Sequence, residues 1–122
     1  MRSKYGNKKA QHDGIIFDSR RERNRYIILS ALQRAGEISD LKMQVSFEII
    51  PAVYEVVEKQ MKTKVKKVEK CVQRATHYIA DFVYKDKDGN VVVEDSKGCR
   101  TKEYLLKKKM MRAFLGIEIK EV

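Results

Sequence analysis

The segment from Thr76 to Lys97 constrains the fold of this 122-residue chain more than any other. Thr76 to Lys85 is β-branched and aromatic, Asp86-Lys87-Asp88-Gly89-Asn90 is a turn sequence, and Val91-Val92-Val93 opens a return strand to about Lys97. A three-residue loop of Lys87, Asp88 and Gly89, with Gly89 taking the positive φ, pairs Asp86 with Asn90. Counting outward, Val83 faces Val93 and Asp81 faces Asp95. Side chains directly opposite share a face, with Cβ atoms about 4.5–5.5 Å apart. Two carboxylates that close repel strongly unless a divalent cation sits between them. Alternation also sets Lys97 on that face and turns Glu94 to the other. A two- or four-residue loop would shift the parity and put Asp81 and Asp95 on opposite faces.

The rest of the chain supplies the frame around this hairpin. Ser19 opens a helical pattern that runs to about Ala35 and closes at Gly36, with Leu29, Leu32 and Ala35 among its apolar positions. Ile38 to Leu41 reads as a connector, and Gln44 to Ile50 alternates as a strand before Pro51 interrupts it. Residues 52–74 fit a long basic β-hairpin or a short helix, and the hairpin is the preferred reading. Thr101 is an N-cap for a helix to Leu115, with Gly116 at its C-terminal end, and Ile117 to Ile119 makes a last short strand. Two helices among about five strands predict a single α/β domain, a mixed sheet flanked by helices. Residues 1–14 are polar, basic and aperiodic, which predicts a flexible arm preceding a domain at 15–122. Ile15-Ile16-Phe17 is a short strand or anchor. No internal repeat is present.

Charge narrows the class of partner. Lysine and arginine number 27 against 17 acidic residues, a formal charge of +10. Such an excess favours a polyanion, because these side chains displace counterions condensed on a phosphate backbone. No apolar run approaches the roughly 18 residues of a membrane span, and Met1 to Lys9 lacks the apolar core of a signal peptide. Cys71 and Cys99 have no metal-ligand spacing and make no disulfide framework, and His12 and His77 add no zinc set. A reducing, cytoplasmic compartment is the expectation.

Asp81, a turn, and then Asp95-Ser96-Lys97 resemble the D…(D/E)-x-K core of the restriction-endonuclease-like nuclease superfamily. The wider order is Phe17-Asp18-Ser19 with Glu22, Gln44-Val45-Ser46-Phe47, Tyr78-Ile79-Ala80-Asp81-Phe82, Glu94-Asp95-Ser96-Lys97-Gly98 and Thr101. It is similar to a family of small phage proteins related to the phage endonuclease I type of Holliday-junction resolvase. The resemblance covers residues 14–122 and departs at Ala52–Arg74, which is longer and more basic than that pattern. It implies a restriction-endonuclease-like fold in which Asp81, Asp95 and the Ser96 backbone carbonyl hold Mg²⁺, or Mn²⁺ in its place. Glu22 would act on the ion directly or through water, and Lys97 would orient the attacking water or stabilise charge on the phosphate. It implies further a homodimer that makes two symmetric cuts in four-way or branched DNA, in the cytoplasm of the host cell if the chain is phage-encoded. Arg100, Lys102, Lys107, Lys108 and Lys109 would hold phosphates beside the site, and Lys8 and Lys9 in the arm would add a second contact.

Plainer roles stand beside these. Ser19-x-x-Glu22 matches a capping box, in which the Glu22 side chain returns to the N-cap amide. Asp81 and Asp95 would serve as solubility or turn charges, and Lys97 and the run at 107–109 as a solvated surface. Glu94 reads as structural, Gln44 as a strand-end hydrogen-bonding residue or one near substrate, and His77 as a surface histidine. Two rival functions remain open at this point. One is a restriction-type, transposon-end or packaging-associated nuclease; the other is a non-catalytic basic module that binds nucleic acid.

Overall fold

The computed structural model describes residues 9–97 and 99–122. Its chain order is β1 (Ala10–His12), β2 (Ile15–Phe17), α1 (Arg20–Arg34), β3 (Ser39–Ile50), β4 (Val53–Gln60) and β5 (Val65–Gln73), followed by β6 (Thr76–Lys85), β7 (Val91–Asp95), α2 (Lys102–Leu115) and β8 (Ile119–Glu121). A four-stranded sheet runs β3-β6-β7-β8, antiparallel except for the parallel β7–β8 pair. The molecule is therefore a small mixed α/β domain with a mixed sheet. Among the described residues, no helix is long and apolar enough to cross a membrane.

Local chemistry fixes the helix ends. Ser19 Oγ accepts the Glu22 amide at 3.1 Å, and Thr101 Oγ1 accepts the Tyr104 amide at 3.1 Å. These caps satisfy donors that the first helical turn leaves without partners. At the far end of α2, Gly116 adopts φ 66°, the left-handed turn that lets the chain leave the helix and enter β8.

Residues 10–14, expected within a flexible arm, take up regular structure. Residues 10–12 form β1, paired with β2 through His12 and Ile15. Asp13 (φ 52°) and Gly14 (φ 76°) make the two-residue turn between them. Asp-Gly suits a turn that needs two positive φ angles, a signal outweighed in the sequence by the surrounding polar residues. The proposed contact Lys8 lies outside the described residues, and Lys9 is exposed. The connector expected at 38–41 is mostly strand, since β3 begins at Ser39, and the last strand falls at 119–121 rather than 117–119.

Two apolar clusters cover the sheet. Leu29 of α1 joins Ile38, Phe82 and Tyr84, whereas Tyr104 and Met111 of α2 join Ile49, Tyr78, Ala80, Val93 and Ile119. On β7 the faces alternate as expected, with Val92 against the α1 cluster and Val93 in the α2 cluster. On β6 they do not. Residues 78, 80, 82 and 84 share one parity, yet the first two belong to the α2 cluster and the last two to the α1 cluster. On β3, likewise, Leu41 and Met43 pack with α1's cluster and Phe47 and Ile49 with α2's. Both strands change faces where Gln44 lies across from Asp81, and Gln44 has φ 52°. Strict alternation cannot survive such a backbone reversal. The site lies at this switch.

Candidate active site

The β6–β7 hairpin has the three-residue loop. Asp86 N donates to Asn90 O at 2.9 Å, Gly89 has φ 83°, and Val83 pairs with Val93 and Phe82 with Glu94. Asp86 Oδ1 also accepts the amides of Asp88 and Asn90, each at 2.9 Å, so the turn fastens itself. One further step of this register sets Asp81 across from Asp95.

Each of these carboxylates has one oxygen tied back by the protein. Asp81 Oδ2 accepts the Ser96 amide at 2.9 Å, and Asp95 Oδ2 accepts the Tyr78 hydroxyl. Their other oxygens are less satisfied. Asp81 Oδ1 lies 3.3 Å from Gln44 Nε2. Asp95 Oδ1 is buried and makes no hydrogen bond among the described residues, although Lys97 Nζ stands 3.2 Å away as an ion-pair partner off the hydrogen-bonding direction. Asp95 as a whole is 0% exposed. Lys97 Nζ lies 4.7 Å from the centroid of the Tyr104 ring, whose face helps hold the cation in place. The Ser96 hydroxyl is buried without a partner among the described residues.

Glu22 reaches this group from α1. It is buried, and its Oε1 accepts Gln44 Nε2 at 2.8 Å. Half of the capping box is present, the Ser19 bond to the Glu22 amide. The carboxylate itself is engaged with Gln44. Gln44 thus links Glu22 to Asp81, a position that its left-handed backbone makes accessible. Among the described residues, no three His, Cys, Asp or Glu side chains form a closed set that would hold a metal ion by themselves.

The electrostatics follow from crowding. Burial, then contact with Asp95 and the charges of Asp95 and Glu22, push the Asp81 carboxyl up to about 8, with the Ser96 amide opposing. Burial and the neighbouring Asp18 charge raise Glu22, against its bond to Gln44. Burial and the bond to Asp95 also raise the Tyr78 hydroxyl, which stays a donor.

The family model described as "Protein of unknown function (DUF1064)" matches residues 2–120. The chain belongs to this family. No curated protein matches it, and no solved structure does.

In this DUF1064 protein the sequence-predicted residues divide into two groups. Glu22, Asp81, Asp95, Ser96 and Lys97 come together. The basic residues that follow are largely answered by acids of the same chain. Arg100 Nε and Lys108 Nζ flank Glu121 at 3.2 and 3.4 Å, and Lys107 pairs with Glu103 at 3.2 Å. Lys102 and Lys109 are exposed and have no ion pair among the described residues. His77 is exposed and lines a cleft of about 480 Å³ with Lys97, Thr101 and Lys107, next to the carboxylates. Cys71 and Cys99 are free and exposed.

Glu94 turns away, towards α1. Its two oxygens take Arg25 Nε and Nη2, both at 2.7 Å, along with the Tyr84 hydroxyl. Burial pushes its carboxyl up, but the bonds from Arg25 and Tyr84 outweigh this and hold it below the usual range. Arg25 escapes a reading of motifs, and Tyr78 stands in one without a role assigned to it. Each leaves a physical signal, because a buried strand glutamate needs a cation and a buried tyrosine needs a partner for its hydroxyl. Arg25 stands three residues after Glu22, and so shares its side of α1.

Proposed function

We infer that this protein is a metal-dependent DNA endonuclease, and more narrowly a resolvase of four-way or branched junctions that acts as a homodimer in the cytoplasm, that of the host cell if the chain is phage-encoded. The observation that carries the reading is the pair of a half-buried Asp81 and a fully buried Asp95 on adjacent strands, with one oxygen of each tied back and Lys97 at the rim. Crowding two carboxylates, one of them fully buried, destabilises a fold. A module that only binds phosphate has no use for them, since they repel its ligand.

The donor set fits Mg²⁺. That ion takes oxygen ligands, commonly one or two protein carboxylates with the rest from water and substrate phosphate. Two half-satisfied carboxylates therefore suffice, with Mn²⁺ as an alternative, and the Ser96 carbonyl is a third oxygen on the same segment. When bound, the ion supplies Lewis-acid stabilisation of charge on the phosphoryl group.

The chain's own residues set the geometry. The Tyr78 hydroxyl and the Ser96 amide fix the two carboxylates in orientation. Gln44 holds Glu22 against them, and Glu22, raised by burial, is suited to accept a proton from an attacking water. Lys97, held by Asp95 and the Tyr104 ring, offers an ammonium to charge developing on the scissile phosphate. Lys102 and Lys109 stand seven residues apart on α2, on one side of it, as cations available to neighbouring phosphates. Two symmetric cuts across a junction require two sites, which a two-fold dimer supplies.

The test is cleavage of a labelled four-way junction beside its matched linear duplex, with Mg²⁺ and with EDTA, by wild type and Asp95→Ala. The reading requires paired nicks in the junction alone, dependent on Mg²⁺ and lost in the variant. Equal cutting of both substrates replaces the resolvase with a restriction-type or packaging nuclease. Binding without cutting, under Mg²⁺ or Mn²⁺, leaves a non-catalytic module.

A further inference from the structure

The β4–β5 hairpin stands apart from the four-stranded sheet as a two-stranded sheet of its own. Only Val57 and Val68, which face each other across it, are partly buried among its strand residues. An isolated hairpin is marginal in water, so one this long calls for something to cover it. The register shows what that is.

Antiparallel partners share a face, and the pairs Glu55↔Lys70, Val57↔Val68 and Lys59↔Lys66 alternate with Val56↔Glu69 and Glu58↔Lys67. At the tip, Met61 N donates to Lys64 O at 2.8 Å, which sets Lys64 on the side of Lys59 and Lys66. Lys59, Lys64, Lys66 and Lys70 therefore occupy one face with Glu55 as its single acid, while Glu58 and Glu69 fall on the other. All four lysines are exposed, and none makes an ion pair among the described residues. Lys59 directly opposite Lys66 is a repulsive pairing that a bare hairpin has no reason to keep. Stacking two copies through this face would multiply the repulsion.

We propose that the basic face of the β4–β5 hairpin is a second nucleic-acid contact, laid along the phosphate backbone of a duplex outside the catalytic group. A two-stranded β-ribbon fits the major groove of B-DNA, and lysine heads on one face reach phosphates without reading bases. The hairpin grows from the Ile50↔Thr76 end of the sheet, and Thr76 is five residues before Asp81 on β6. At strand rise this is roughly 17 Å, about half a turn of B-DNA from the site to the root of the ribbon. The inference rests on the endonuclease reading only for the choice of DNA as the polyanion.

The experiment measures binding, not cleavage. The full chain and a variant carrying Lys59→Gln, Lys64→Gln, Lys66→Gln and Lys70→Gln are titrated against a labelled 30-base-pair duplex in EDTA at several salt concentrations. Four lost phosphate contacts should flatten the slope of log affinity against log salt by about three to four. The matching set of four Lys→Arg changes should restore the slope, which excludes misfolding as the cause. An unchanged slope in the Gln variant overturns the proposal, as does a wild type that does not bind duplex. So does sedimentation showing that the Gln variant, without DNA, has changed from dimer to monomer, because the face would then serve a second copy. Wild type that binds with hairpin-dependent slope but never cuts defeats the endonuclease reading and leaves this one standing.

Discussion

Asp81 of β6 accepts the backbone amide of Ser96, just beyond β7, at 2.9 Å. The acid that begins the site on one strand thereby fixes the exit of the other, and it does so with a carboxyl pushed up to about 8. The folded state holds a proton there that the unfolded chain, with an ordinary aspartate, has released. Stability contributed by this group is therefore present at low pH and is lost as pH rises through the range from about 4 to about 8. Asp81→Asn keeps an oxygen for Ser96 and removes the titration. Thermal unfolding in EDTA should show the variant gaining on wild type steadily from pH 5 to pH 8. A constant difference across that range would mean that Asp81 is not held protonated.

Divalent cations should reverse this cost if the carboxylates hold one. Mg²⁺ at ten times its dissociation constant stabilises the fold by about 1.4 kcal/mol, a shift of several degrees for a domain of this size. Asp81→Asn and Asp95→Asn should each abolish most of that shift while remaining folded. An equal shift in all three proteins would assign it to the surface instead.

The buried ion pair between Arg25 and Glu94 makes a separate demand on stability. Both contacts are 2.7 Å, and Glu94 is 0% exposed. Arg25→Ala leaves a buried carboxylate without its cation and should cost about 3–5 kcal/mol in urea unfolding at pH 7. Adding Glu94→Gln should recover part of the loss, because the stranded charge is gone. Since the Glu94 carboxyl is held below its usual range, the pair's contribution should fade as pH drops through that lowered value.

The elements that the sequence disclosed are those set by neighbours in the chain. Gly89 and the Asp86 side chain decide the turn within five residues, and from that turn the opposition of Asp81 and Asp95 follows by counting. Ser19, Thr101 and Gly116 mark their helix ends for the same reason. What stayed hidden depends on distant partners or on unusual backbone. Arg25 meets Glu94 across 69 positions, and Tyr78 meets Asp95 across 17. The reversal of faces on β3 and β6 rests on a left-handed glutamine in a segment that otherwise alternates as an ordinary strand. Residues 53–73 read ambiguously because both faces of the ribbon mix valines with charges, and neither packs on the core.

Gln44 allows backbone and side chain to be tested apart. Its φ of 52° is a conformation that costs a residue with a Cβ roughly 1–2 kcal/mol and costs glycine little. Its amide separately bonds Glu22 at 2.8 Å and approaches Asp81 at 3.3 Å. Gln44→Ala keeps the strain and removes the amide, so it should be the less stable of two variants. Gln44→Gly removes both and should be about 1 kcal/mol more stable than the alanine variant in urea unfolding. Cleavage should fall in both by a similar factor, on the order of 10- to 100-fold, because Glu22 loses its positioning donor in each. Full activity in Gln44→Gly would show that only the turn of the backbone matters at this position. Equal stability of the two variants would show that the left-handed geometry carries no strain.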